Sequence, residues 1–416
     1  MVAPVAGPVH GALAMSTVIL DISRLISRVR YSTPSGVDRV EMAYVRGLME
    51  IYDTDLQFAA VHPTGLFGLV RRDAALAYIA ELEARWDRDA DKRRQRPLIS
   101  VLPWMARLLP VPTAQTTKRC KPVYVQASPH HLVDAGKVRR ILQRLDARFL
   151  CMVHDLIPLE YPEYARPGGA ALHRRRIETV AEYADAVIVN SAATGHSLQP
   201  WLARTGRAVP VHVALLGTTD MAVPASVRPN GEHPYLVCLG TIEGRKNHLL
   251  LLHIWRQFAA TLPRDRIPRL VVIGKRGWEN EQVLDLLDRS PTLRGLVEEM
   301  PGCPDSQLAA LIVGASGLLM PSFAEGFGMP IAEALAVGVP VLCSDLPAHR
   351  EVGGSTADYL DPLDGPGWSA RILDYADQGE HWRAQIARIG TWKRPTWPEH
   401  FQVVQQAIEQ LAERPA

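Results

Sequence analysis

Two carboxylates, Glu325 and Glu333, flank a glycine loop in the run Pro321-Ser-Phe-Ala-Glu325-Gly326-Phe327-Gly328-Met329-Pro330-Ile331-Ala332-Glu333. The apolar run Gly317 to Met320 leads in like a buried strand. Pro330 stands at a first helical position, and the residues after it favour helix. One carboxylate therefore sits on a loop and the other in the first turn or two of a helix. Free amides at that helix start, with glycines that let a ligand come close, suit an anionic phosphate. Carboxylates beside a phosphate repel it unless they face donors instead. Sugar and ribose hydroxyls are such donors, so a nucleotide-sugar fits better than a bare phosphate. The competing reading is an acidic helix start that needs no ligand.

Further groups follow other strand-like runs. Arg245 and Lys246 come after Leu239-Gly240, at a helix start. Two cations and helix amides there can neutralise a diphosphate and stabilise it as a leaving group; a solvated basic turn is the alternative. No Walker A loop is present. Gly274, Lys275 and Trp278 follow the next strand, either as the wall of a base site or as a turn with a packed Trp. His154 stands at a strand's carboxyl end with Asp155 beside it. Asn190-Ser191 reads as a turn or helix cap. Gly36 and Arg39 sit in what reads as a loop, where Gly36 admits a phosphate or acceptor and Arg39 adds charge. Neither a Ser-His-Asp set nor a metal-ligand spacing stands out; no cofactor is expected, and no metal is needed if Arg245 and Lys246 carry the diphosphate charge.

Strands alternate with helices along the whole chain. Runs beginning at Thr17, Leu56, Pro122, Arg148, Ala186 and Val211 read as strands of a first half, with a helix from Glu41 to Ile51. A second set begins at Tyr235, Leu270, Gly317 and Val339. This predicts an α/β protein with two doubly wound, Rossmann-like domains facing across a cleft, in which strand ends carry the site. The expected division is an extension at 1–14, a first domain at 15–220, a linker at 221–234, a second domain at 235–395, and a closing helix within 396–416.

A chain of 416 residues exceeds one ordinary core, which agrees with two domains. A net charge of +2 gives no global reason for nucleic-acid binding. Basic residues cluster locally, at Lys92–Arg96, Lys118–Lys121 and His173–Arg176, as solvated faces or as contacts for anionic headgroups. Five scattered cysteines without a Cys-x-x-Cys pair point to a reducing compartment. Residues 1–14 lack the pattern of a signal peptide, and no run is apolar enough to span a bilayer. The segment Ile99 to Pro110 either packs in the first domain or offers Trp104 and its apolar neighbours to an interface.

The ordered set of Gly240–Asn247, Gly274–Trp278, Pro321–Pro330, Glu333-Ala334 and Gly338–Ser344 resembles the family 4 retaining glycosyltransferases of the GT-B fold. Ser35–Glu41 and His154–Pro158 are similar to loops of bacterial polysaccharide mannosyltransferases. The resemblance implies that Lys246, helped by Arg245, binds the donor diphosphate. It gives Glu325 the donor-sugar hydroxyls, with Gly326, Phe327 and Gly328 lining the sugar through backbone, and Glu333 the ribose. It sets His154 near the anomeric carbon, Gly36 at the diphosphate, Gly274 and Lys275 at the donor, and the final helix back on the first domain. It implies a nucleotide-sugar donor, GDP-mannose by preference, and a glycan or lipid-linked glycan acceptor in surface polysaccharide synthesis. It also implies a cytoplasmic protein in contact with the inner membrane face. A UDP-sugar donor and a catalytically silent sugar-nucleotide-binding subunit stay open. Thr241 stands where many members carry Arg, Gly244 where Pro is usual, and Ala348–Glu351 where Leu-Pro-Glu is usual.

Overall fold

The computed structural model describes residues 17–31, 33–88, 97–111, 121–218 and 233–414. The expected extension at 1–14, nearly all of the expected linker, the Lys92–Arg96 cluster and Lys118–Cys120 lie outside these residues.

The first sheet has seven strands: β1 (Val18–Asp21), β2 (Leu56–Val61), β3 (Phe67–Val70), β4 (Val123–Gln126), β5 (Arg148–Val153), β6 (Ala186–Val189) and β7 (Val211–Val213). Their order is β3-β2-β1-β4-β5-β6-β7, with only β3 antiparallel to its neighbour. The second sheet has six parallel strands: β8 (Tyr235–Leu239), β9 (Arg269–Ile273), β10 (Val297–Met300), β11 (Gly317–Met320), β12 (Val341–Ser344) and β13 (Asp358–Leu360). Their order is β10-β9-β8-β11-β12-β13. Strand order reverses beside β1 in one sheet and beside β8 in the other. Loops leaving adjacent strands diverge at such a point and open a crevice. β1, β4, β6 and β11 are buried along their whole length, as continuous apolar runs in parallel sheets should be. These sheets agree with the expected pair of Rossmann-like domains.

Two local differences affect the site. The helix after β1 begins at Gly36 and runs to Tyr52, so Gly36 to Arg39 form its first turn and not a loop. Ser35 caps it, accepting from Asp38 N while the Asp38 carboxylate accepts from Ser35 N. Pro330 is the second residue of the helix Met329–Ala336, behind the N-cap Gly328.

The last helix, Trp397–Glu413, returns to the first sheet. Its buried stripe of Phe401, Val404, Ile408 and Leu411 follows helical spacing. Each such side chain contributes about 1.5–3 kcal/mol when fully buried. Phe401 stacks edge-on against Tyr44. Gly47 makes this crossing possible, because a Cβ there would lie 2.2 Å from the Phe401 ring.

Candidate active site

A cavity of about 1020 Å³ opens between the two sheets, with Gly36, His154, Gly240, Lys246, Glu325 and Glu333 in its wall. The loop leaving β11 builds one side of it. Gly328 carries that loop into its helix with φ at 108°, a left-handed conformation that favours glycine. Phe327 is 4 % exposed with its ring in the core, which leaves its backbone to line the cavity.

Glu325 is the hub of the second-domain wall. Lys246 Nζ donates to its Oε1 at 2.5 Å, and Ser322 Oγ donates to the same oxygen at 2.9 Å. Arg245 Nη1 lies 2.8 Å from Oε2, while Nη2 lies 2.7 Å from Oε1 of the buried Glu243. Arg245 also donates to Ala324 O at 2.8 Å. Burial pushes the Glu325 carboxyl up, but Arg245, Lys246 and His349 outweigh it and hold the group well below the usual carboxylate range. For Glu243 burial wins over Arg245 and Lys246, and its carboxyl is raised. Both cations are thus held by carboxylates, a feature the sequence reading lacked. A carboxylate offers about four lone-pair sites. The three donors on Glu325 leave room for one more, on Oε2.

The first domain supplies the facing wall. His154 Nε2 lies 2.7 Å from Ala127 O, so Nε2 carries the proton and Nδ1 is left as an acceptor. Burial lowers its pKa against the backbone bond and Asp155, which raise it. His154 and the donor loop meet through Gly326: a Cβ there would lie 2.3 Å from His154 O. The Gly326 carbonyl accepts from Ser191 Oγ at 2.8 Å and from Thr194 Oγ1 at 3.3 Å. On the other flank, Gly36 faces Met329, whose sulfur would lie 3.8 Å from a Cβ at Gly36. Arg39 makes a bidentate pair with Asp305 across the domains, at 2.8 and 2.7 Å. Glu333 is half-buried beside that pair. Burial raises its carboxyl, Arg39 lowers it and Asp305 raises it further.

Gly36, His154, Arg245, Lys246, Glu325, Gly326, Phe327, Gly328 and Glu333 therefore gather on one cavity. Gly274 and Lys275 are not in its wall. Gly274 allows two loops to touch, since a Cβ there would overlap Gly240 O. Lys275 crosses to the first domain and donates to Thr33 Oγ1. Trp278 resolves as the packed alternative: its Nε1 donates to Tyr164 O at 2.9 Å and Arg166 lies over its ring. Sequence reasoning missed Glu243, Ser322, Asp305 and His349. Glu243 and Ser322 had local signals, as an acid two residues before Arg245 and a hydroxyl three residues before Glu325. Asp305 and His349 meet the site through tertiary contacts.

Two facing Rossmann-like domains with a strand-end site between them define a GT-B protein. Residues 222–358 match the glycosyl transferases group 1 family and include Lys246, Glu325 and Glu333. The chain is similar to the serotype-specific mannosyltransferase WbdA of Escherichia coli, with 27% identity over 60% of this chain and 33% of the relative. It is also similar to O-antigen chain mannosyltransferase B of Escherichia coli, with 39% identity over 36% of this chain and 38% of the relative. The matches thus span little more than a third of these relatives' length. Among solved structures, HepE of Anabaena in complex with UDP-glucose superposes with a TM-score of 0.63 at 15% identity, covering 95% of this chain and 100% of that one. Sucrose-phosphate synthase of Thermosynechococcus elongatus gives 0.59 at 15% identity over 95% and 99%. At such identities these two structures speak to the fold alone. The chain has the GT-B fold, its second domain matches the group 1 model in part, and it is similar to polysaccharide mannosyltransferases.

Proposed function

We propose that this protein is a nucleotide-sugar-dependent glycosyltransferase that moves a hexose with retention, taking mannose from GDP-mannose, to a glycan or lipid-linked glycan acceptor in surface polysaccharide synthesis. The observation that carries the proposal is the convergence of Arg245, Lys246 and Glu325 beside the Gly326–Gly328 loop, facing His154 across the cleft. The retaining outcome and the choice of mannose rest on the resemblance and on the names of the relatives.

Arg245 and Lys246, preset by Glu325 and Glu243, stabilise the departing diphosphate together with the amides that open the helix after Gly328. This assigns the charge work to side chains and backbone, without a metal. The free acceptor site on Glu325 Oε2 takes a donor-sugar hydroxyl. Glu333 accepts from the ribose, and the hydroxyls replace solvation that burial has removed. His154 offers Nδ1 as an acceptor near the sugar. The two walls exclude water that would otherwise hydrolyse the donor. A UDP-sugar is the alternative donor.

Among the described residues no helix is long and apolar enough to cross a membrane. The segment 98–111 supports peripheral contact instead. Ile99 and Leu102 are 78% and 58% exposed, Leu109 and Val111 are exposed beside them, and Val101 and Leu108 anchor the segment from beneath.

The test is a panel of GDP-, UDP-, ADP- and dTDP-sugars, scored for donor hydrolysis and for transfer to a mannose-containing acceptor. GDP-mannose turnover is expected above the others. Turnover of another sugar alone would reassign the donor, and no turnover of any would favour a silent binding subunit.

A further inference from the structure

The sequence sets Ala348–Glu351 apart, and none of the chemistry above uses Glu351. It lies on the short helix Pro347–Gly353 of the second domain. Its carboxylate reaches the first domain and accepts from Ala192 N at 2.6 Å and from Ala193 N at 2.8 Å. Those amides open the helix Ala192–Ala203, which follows β6 at the cleft. Ser191 caps the same helix and accepts from Thr194 N at 3.0 Å. The first free amides of this helix therefore find their partner in the other domain.

The same contact touches the donor loop twice. Ser191 and Thr194, which flank the gripped amides, hold the Gly326 carbonyl. His349, two residues before Glu351, is fully buried under Gly328: a Cβ at Gly328 would lie 3.3 Å from its Cδ2. One short helix thus supports the loop that carries Glu325 and fastens it to the wall that carries His154.

We propose that Glu351 is a positioning residue whose carboxylate, seated on the N-terminus of the Ala192–Ala203 helix, latches the two domains closed and keeps the Gly326 peptide in register with His154. The latch consists of protein groups alone, so the closed cleft is favoured before any donor arrives. Its opening admits donor and releases the nucleotide, and its closing restores the dry wall around Glu325. The latch itself rests on geometry, while its effect on turnover rests on the glycosyltransferase reading.

The experiment changes the contact from both sides. Glu351→Gln keeps the shape but turns a donor group toward donor amides. Ala192→Pro removes one of those amides at the first helical position, where proline is tolerated. Ser191 before it is already extended, at φ −155° and ψ 155°, as a residue preceding proline prefers. Domain separation is read by energy transfer between dyes placed at the exposed Arg139 and Arg383, one in each domain, after substitution of each by Cys. Both variants are expected to shift the full chain toward a wider separation. In donor hydrolysis each should raise the donor KM by roughly tenfold or more, the scale of a lost charged hydrogen bond, with a smaller change in kcat. Parent-like separation in the two folded variants would overturn the latch, whatever the kinetics. If no donor is hydrolysed by the parent, the activity reading fails and the dye separation still decides the latch.

Discussion

Glu325 combines two duties that pull apart in most carboxylates. Buried to 8% exposure, it stays charged because two cations face it. Glu325→Gln leaves Arg245 and Lys246 under-compensated in a buried site, a loss of about 3–5 kcal/mol when one partner of such a pair is removed. The expected outcome is a lower thermal midpoint together with donor-hydrolysis kcat/KM reduced at least ~100-fold; full activity in the variant would remove Glu325 from the donor site. Glu333 behaves oppositely. Burial raises its carboxyl above the usual value; if it holds the ribose as proposed, the ionised form can accept from both hydroxyls while a protonated carboxyl gives up one acceptor. Nucleotide affinity should therefore fall as pH drops through that raised value, and Glu333→Gln should flatten this limb. Titrations at a series of pH values check the sign. An unchanged slope in the variant would separate Glu333 from the ribose.

At the level of elements, the strands that build the cleft were legible because parallel sheets bury both faces and leave unbroken apolar runs. β3, β10 and β13 were not. β10 reads Val-Glu-Glu-Met, and β13 is a three-residue edge strand beginning at Asp358. Neither carries enough apolar residues to stand out. Gly36 misled for a different reason: a glycine in a first helical turn looks like a loop when its cap, Ser35 with Asp38, is overlooked. The partners of Glu351 and Arg39 lie more than 150 residues away, so no local pattern announces them. The closing helix makes a sharp prediction of its own. Gly47→Ala sets a methyl inside the Phe401 ring's space and should destabilise the protein by about 1–3 kcal/mol, read as a lower urea midpoint with unchanged slope. His400 adds a pH signature. Its Nδ1 faces Ala214 O and Leu215 O, its Nε2 faces Tyr44 Oη, and burial pushes its pKa down to about 4. The folded state holds the ring neutral while the unfolded ring takes a proton below about pH 6.5. Its contribution is complete above that value and is lost as pH falls toward about 4. His400→Asn should lose part of the parent's drop in thermal midpoint between pH 7 and pH 4.5; an equal drop would show that other groups set it.

For the whole molecule, function is a property of the two domains held together. Neither wall alone brings Glu325 and His154 to one cavity, and cross-domain contacts around it include Glu351 with Ala192 and Ala193, Arg39 with Asp305, Ser191 with Gly326, and Trp278 with Tyr164. The segment 98–111 exposes Ile99 and Leu102 on the first domain. Vesicles with anionic lipid should sediment the parent at low salt and lose it when Ile99 and Leu102 are changed to Ser; equal sedimentation would end the peripheral-contact reading. The central claim is that Arg245, Lys246 and Glu325 form a site for a nucleoside diphosphate. Calorimetric titration of GDP and UDP into the parent and into Lys246→Ala tests it most directly. Saturable binding of one nucleotide by the parent and a loss of at least ~10-fold in the variant are expected, on the scale of a charged hydrogen bond. Equal affinity in the two proteins, or no binding of either nucleotide by the parent, would contradict it.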